Sequence, residues 1–404
     1  MRILHTSDWH LGKALHGHDL AEAQRCALEA MIDLAIERQV DVFVIAGDVY
    51  DRAFPSVDDV RLLNDAFARI HEAGIAIVCT AGNHDEGARL GALSQLLEDR
   101  VVVVGEYSQV GTSFTFEDEF GPVAFYPFPY LHPDGARRDL APADGPLLER
   151  SHEAVIGEAM RRVREDLAVR VVAEPSLRAV VVAHAFVVRG VESPEELLTE
   201  QCESERDIAV GGVPSAPTAI FDGVNYVALG HLHGPRTVQE QDLGAGRPGI
   251  RYSGSPLRYS LSEADHIKSV TLVDMDAEGA CTIDVVEVPQ PAGMVRLRGT
   301  LDEILSDAHA AHRDDFVELV ITDSRPPDNW LAQLTHSFSR ILKARHDYAG
   351  AAASDEPANA GTQVLTPLQT LRNFYVSSRG EEPTPEMAQI LQDVLERARQ
   401  GADA

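Results

Sequence analysis

"IVCTAGNHDEG", residues 77–87, starts as a buried strand and stops abruptly at Asn83, His84 and Asp85. A plain turn needs only Gly82 and Asn83, so three metal-competent side chains leaving an apolar run call for another explanation. The pattern recurs along the chain. "RILHT" (2–6) leads into Asp8 and His10, and "DVFVIAG" (41–47) leads into Asp48. "RAVVVAH" (178–184) ends on His184, and "YVALG" (226–230) runs into His231 and His233.

Between these strands the period changes. Asp19 to Gln39 sets Leu20, Ala23, Ala27, Met31 and Leu34 at helical spacing, and Ser56 can cap a helix bearing Val60, Leu63, Phe67 and Ile70. Ala88 to Glu98 reads as a further helix. Strand and helix alternate in an α/β layout, and "DVFVIAG" is apolar enough to be buried on both faces. Residues 113–129 suggest a hairpin about a Gly-Pro turn, 152–168 a helix, and 269–288 a hairpin turning near Gly279. Two sheets packed face to face with helices outside fit this mixture. After residue 290 "MVRLRGT" and "FVELVITD" read as strands of a small α/β unit, each followed by a helix, near Leu301 and near Trp330. The expected boundaries are 1–290, 291–348, a small-residue linker at 349–365, and terminal helices at 366–404. Thr366-Pro367 and Thr384-Pro385 each place a capping hydroxyl before an N1 proline. The last helix carries Met387, Ile390, Leu391, Val394 and Leu395 on one stripe that needs a docking partner. The acidic stretch 190–215 reads as a surface insertion.

With 404 residues, more than one domain is expected. The four cysteines form no CxxC pair, which excludes a disulfide framework and a zinc knuckle. No run is long enough to span a membrane, and "MRILHTSDWH" is no signal peptide; a cytoplasmic protein is expected. A net charge of −29 argues against a free-standing DNA binder, since such affinity comes from Lys and Arg on phosphates.

Two aspartates (Asp8, Asp48), one amide (Asn83) and four imidazoles (His10, His184, His231, His233), with His84 left over, suit zinc, iron or manganese. Seven ligands are too many for one tetrahedral ion and about right for two ions sharing a carboxylate. Such a pair clamps the attacking and leaving oxygens of a phosphoryl displacement. Each motif alone has a bland reading as turn chemistry or a hydrogen-bonded core histidine. Together, each behind an apolar strand, they make a site.

In this order D-x-H, GD, GNHD, a lone His and G-H-x-H resemble the calcineurin-like metallophosphoesterase superfamily. "MRILHTSDWHLGK", "VDVFVIAGDVYD" and "YSGSPLRYSLSEADHIKSV" (252–270) are similar to the SbcD nuclease subunits within it. The resemblance implies a two-sheet metallophosphoesterase sandwich, a capping domain at 291–348, and two manganese ions. One would be held by Asp8, His10, Asp48 and His233, the other by Asp48, Asn83, His184 and His231. His84 would protonate the leaving 3′ oxygen, and Asp85 would orient its other ring nitrogen. "GDVYDRAFP" lacks the further histidine of archaeal and eukaryotic relatives, leaving Asp51 or Arg52 in that neighbourhood. The implied activity is manganese-dependent exonuclease on DNA duplex ends and endonuclease on single strands and hairpins, in repair and recombination. The implied partners are DNA, an SMC-like ATPase subunit (SbcC) on the terminal helices, and a second copy through the helix near 56–73. The alternatives are a phosphoesterase for a small phosphodiester or phosphoprotein, and an inactive scaffold subunit, against which the complete ligand set speaks.

Overall fold

The computed structural model describes residues 1–188 and 215–347, apart from 93, 98, 143 and 144, and five positions between 383 and 392. Valines alternate in direction along each central strand, so every strand feeds two cores. Val42, Val44 and Ala46 point to one side of the Val42–Ala46 strand, Phe43 and Ile45 to the other. One sheet runs Cys281–Glu287, Ser269–Met275, Arg2–Thr6, Val42–Ala46, Ala76–Thr80, Val101–Val104, parallel from Arg2–Thr6 onward. The second runs Arg236–Gln239, Gly249–Tyr252, Tyr226–Gly230, Arg178–His184, Gly121–Phe128, Phe114–Asp118, with its four central strands parallel.

The sheets meet over Val42, Val44, Val78, Val102, Phe125, Val180, Val182 and Ala228. The outer face of the first is covered by helices Ala21–Glu37 and Val57–Glu72, and that of the second by His152–Ala173. This is the mixed α/β sandwich expected. Phe43, fully buried, packs edge-on against Trp9 at 6.3 Å between ring centroids. Truncating it to Ala costs about 3–5 kcal/mol. Ser56 caps its helix as the sequence suggests, in a reciprocal box with Asp59.

Residues 294–346 form a parallel three-stranded sheet, Met294–Gly299, Phe316–Ile321 and Arg340–His346. Helices Leu301–Leu305 and Trp330–Ser337 accompany it over a separate cluster that includes Leu297, Leu319, Ile321 and Phe338. Met294 and Leu342 instead join the core beneath the first large sheet.

Several expectations need correction. The helix expected over 88–98 is one turn, Gly87–Leu90, ending at Gly91. Gly87 lies against Gly105 so closely that a Cβ on it would sit 2.2 Å from the Gly105 carbonyl oxygen, and this crossing fixes where the turn sits. The first hairpin turns at Glu119-Phe120, with Asp118 paired to Gly121, so Gly121-Pro122 opens the second strand. Strands Val101–Val104, Arg236–Gln239 and Arg340–His346 add to those expected. The stretch 190–215 falls, except for residue 215, outside the described residues, as does most of 366–404. Within the latter, Thr384 Oγ1 accepts from the Met387 N–H at 3.3 Å, as a cap should.

Candidate metal centre

All seven expected ligands, with His84, gather where the parallel strands of both sheets end. The strand ends nearly touch: His184 Nδ1 is 2.9 Å from the Ala46 carbonyl oxygen. A Cβ on Gly230 would lie 1.8 Å from that oxygen, and one on Gly82 2.1 Å from Asp48 Oδ1. Glycine therefore precedes Asn83 and His231 because two backbones share a space with no room for a side chain.

Asp8, His10, Asp48 and His231 have left-handed backbone, with φ of 55°, 45°, 50° and 109°. Non-glycine residues in that region store strain that the surroundings must hold. The holding contacts are backbone bonds, from Asp8 N to Gly47 O at 3.0 Å and from His10 N to Asp48 O at 3.0 Å. The His231 N–H donates to both Asp8 carboxylate oxygens, at 3.1 and 3.2 Å.

The donors form two adjoining groups. In one, His10 Nε2 lies 3.2 Å from His233 Nε2 and 3.6 Å from Asp48 Oδ2, beside Asp8. In the other, Asn83 Oδ1 lies 3.0 Å from His184 Nε2 and 3.1 Å from His231 Nδ1, and His184 Nε2 lies 3.4 Å from Asp48 Oδ2. Asp48 touches both. Among the described residues, the hydrogen-bond and ion-pair partners of the carboxylates, at 0% and 3% exposure for Asp8 and Asp48, are imidazoles, N–H groups and the Ser7 hydroxyl. Buried charge of this kind needs a cationic partner. Burial alone would depress His184, yet Asp48 holds it up at about 9. Burial and the neighbouring His184 bring His231 down to about 3, against the pull of Asp48. His10 Nδ1 is buried, with Asp51 Oδ1 3.4 Å away. A hard oxygen and imidazole donor set with surplus negative charge fits divalent cations.

His84 does not take its support from Asp85. Its Nδ1–H donates to the Asp51 carbonyl oxygen at 2.9 Å, and its ring stands edge-on to His10 at 4.7 Å between centroids. Asp85 is instead a clasp: it accepts the N–H groups of Val49, Tyr50 and Gly82 at 3.0, 2.9 and 2.9 Å, tying two strand ends together. Burial and the charge of Asp48 push it up to about 6 against those three donors. The Asp51 carboxylate accepts Lys13 Nζ at 2.8 Å. Arg52 points outward, its side chain 77% exposed.

Two supports escaped the sequence reading. Glu263, fully buried, stands 3.1 Å from His233 Nδ1 and accepts Lys268 Nζ at 2.6 Å. Burial would lift its carboxyl, but His233 and Lys268 pull it below the usual range. Tyr130 stacks on His231 at 6.2 Å with 28° between planes, and burial keeps its phenol protonated at about 12. Beside Asn83 a cleft of about 470 Å³ opens, with Tyr107 and Tyr130 among its walls.

A family model described as calcineurin-like phosphoesterase matches residues 1–235, more than half of the chain. The protein belongs to this family. It is thus a metal-dependent phosphoester hydrolase, and its membership implies two divalent cations. Among solved structures it is similar to the protein TT1561 of Thermus thermophilus, at 15% identity and TM-score 0.40, over 71% of this chain and 99% of that one. A dimetal phosphatase from Danio rerio matches at 10% identity and TM-score 0.40, over 72% of this chain and 97% of the other. No helix among the described residues is long and apolar enough to cross a membrane.

Proposed function

We propose that this metallophosphoesterase is an SbcD-like nuclease subunit that hydrolyses DNA phosphodiesters with manganese. The observation that carries the reading is the donor double group about Asp48, together with the small sheet at 294–346 that continues past the matched family region. The opening "MRILHTSDWHLGK" narrows the family resemblance to nucleases. Asp8, His10, Asp48 and His233 would hold one ion and Asp48, Asn83, His184 and His231 the other. Bound there, the cations supply Lewis acidity at the phosphoryl group and make water a better nucleophile.

The chain's own groups do the rest. The Asp51 carbonyl keeps one proton of His84 on Nδ1, so a second proton, carried on Nε2 in the imidazolium form, would be the one passed to a leaving 3′ oxygen, returning the ring to neutral. Asp85 holds the loops that present Asp48 and Asn83. Glu263 fixes the ring of His233. Residues 291–348 would cap the site, 366–404 would dock on an SMC-like ATPase, and the helix at 57–72 would meet a second copy.

The test is cleavage of linear duplex and hairpin DNA with manganese, with and without the ATPase subunit, using Asp48→Ala as control. Manganese-dependent cutting that disappears in the control is expected. The net charge of −29 favours a second reading, a small phosphodiester or phosphoprotein as substrate. Hydrolysis of a small diester with no cutting of DNA in any combination would select it.

A further inference from the structure

The two sides of the metal centre differ in charge. On the side of His84 lie Lys13, with Nζ 5.6 Å from the Tyr259 ring centre, and Arg89, stacked 4.5 Å over the exposed Phe54. Arg52 adds a third cation there. On the side of Asn83 lies the cleft already noted, whose walls include Glu86, Glu106 and Asp139 beside Tyr107, Tyr130 and His132, and no lysine or arginine among the described residues. A phosphate backbone is repelled from such walls and drawn to the other side.

The cleft is nonetheless built to receive something polar. Tyr130 is 9% exposed and lines the cleft. A phenol at a cleft wall presents a polar tip that a ligand can bond. Tyr107, half-buried, offers a second aromatic ring, and the carboxylates can accept N–H groups. Aromatic faces with acceptors and no cations suit an uncharged heterocycle.

We infer that the cleft between Asn83 and Tyr107 is a nucleobase subsite, taking the base attached to the phosphate at the metal centre while the backbone follows the Lys13, Arg52 and Arg89 side. The inference rests on the nuclease reading and sharpens it: a base in the cleft is out of its stack, so the substrate at the moment of cleavage is locally single-stranded. Stacking of one base on an aromatic side chain contributes roughly tenfold or more in affinity.

The test compares two small diesters with the full chain and manganese: thymidine 5′-(p-nitrophenyl phosphate) and methyl p-nitrophenyl phosphate. Wild type is expected to favour the thymidine ester about tenfold or more in kcat/KM, mainly through KM. Tyr107→Ala and the shape-preserving Tyr130→Phe are each expected to bring that preference down several-fold towards one. A wild-type ratio near one, or a ratio that neither variant moves, overturns the subsite. Cleavage of linear DNA by the same preparations separates the two ideas. DNA cut with a ratio near one removes the subsite and leaves the nuclease. A high ratio, lost in the variants, with no DNA cut in the presence of the ATPase keeps a nucleoside subsite and removes the nuclease.

Discussion

The strand Arg178–His184 meets a carboxylate at each of its ends, and the two meetings are completed differently. At its start Arg178 gives two N–H groups to Asp118, at 2.9 and 2.5 Å, and others to the carbonyls of Gly121 and Asp276. The Met1 ammonium adds a second cation to Asp118 at 2.5 Å. Resident cations neutralise the carboxylate there. At its finish His184 faces Asp48, which has His10 on another side and no lysine or arginine among the described residues. A buried carboxylate with its own cation holds a fold together. One without it is a place where a mobile cation belongs.

That contrast breaks first at Asp48. Asp48→Ala is expected to lower metal-dependent hydrolysis by far more than 100-fold, because even partners that only orient ligands cost about 10–100-fold. Manganese at a hundred times its Kd should stabilise wild type by about 2.7 kcal/mol through binding to the folded state, and the variant much less. Thermal melts with manganese and with chelator read this directly. A manganese-dependent rise in Tm that survives the substitution would mean that Asp48 is an ordinary paired carboxylate. His84→Ala comes next: about 10²–10⁴-fold slower turnover, with metal content by elemental analysis unchanged. Near wild-type turnover would take His84 out of the reaction.

How much of this the sequence announces depends on whether one residue type can carry the message. Val42 to Ala46 announces a strand buried on both faces because every position is apolar. Asp8, Asp48 and Asn83 announce a site because polar groups directly after such strands have little else to do. The left-handed backbone at Asp8, His10 and His231 is silent, since only glycine signals that conformation by its identity. Asp85 misleads: standing beside His84 it looks like its orienter, but it turns to the backbone of another loop. Glu263 follows His233 by thirty residues and bonds it from a 3-10 turn, with no spacing that periodicity could detect. Strand Arg340–His346 hides behind Arg340, Lys343 and Arg345 because part of it faces solvent.

At the opposite end of the comparison, Arg178→Ala should destabilise by about 3 kcal/mol, the low end for breaking a buried pair because the Met1 ammonium stays beside Asp118. Turnover per folded molecule should change little. The pH dependence follows from the direction of the shift. Burial would raise the Asp118 carboxyl, and Arg178 overrides this to hold it well below the usual range. A depressed folded-state pKa contributes stability above the unfolded value of about 3.9, and that contribution fades as pH falls below it. Wild type and Arg178→Ala should therefore differ fully in urea unfolding at pH 5–7 and converge towards pH 2–3. A gap that stays constant to pH 2 would show that packing of Arg178, not its charge, is what matters.

Glu263 stands between the two classes and offers the finest cut. It has a resident cation in Lys268, as Asp118 has in Arg178, yet its other oxygen faces His233 Nδ1 and so keeps Nε2 turned to His10. Glu263→Gln preserves size and an acceptor but weakens the grip on the imidazole. If orientation of the ligand is its role, manganese affinity should fall about 10–100-fold, and saturating manganese should restore most of the turnover. If its role is that of Asp118, the metal-free protein should lose stability while manganese affinity of the folded fraction stays as it was. Titrating manganese against Tm in both proteins separates the outcomes, because a ligand's effect on Tm scales with its affinity for the folded state and not with the stability it starts from.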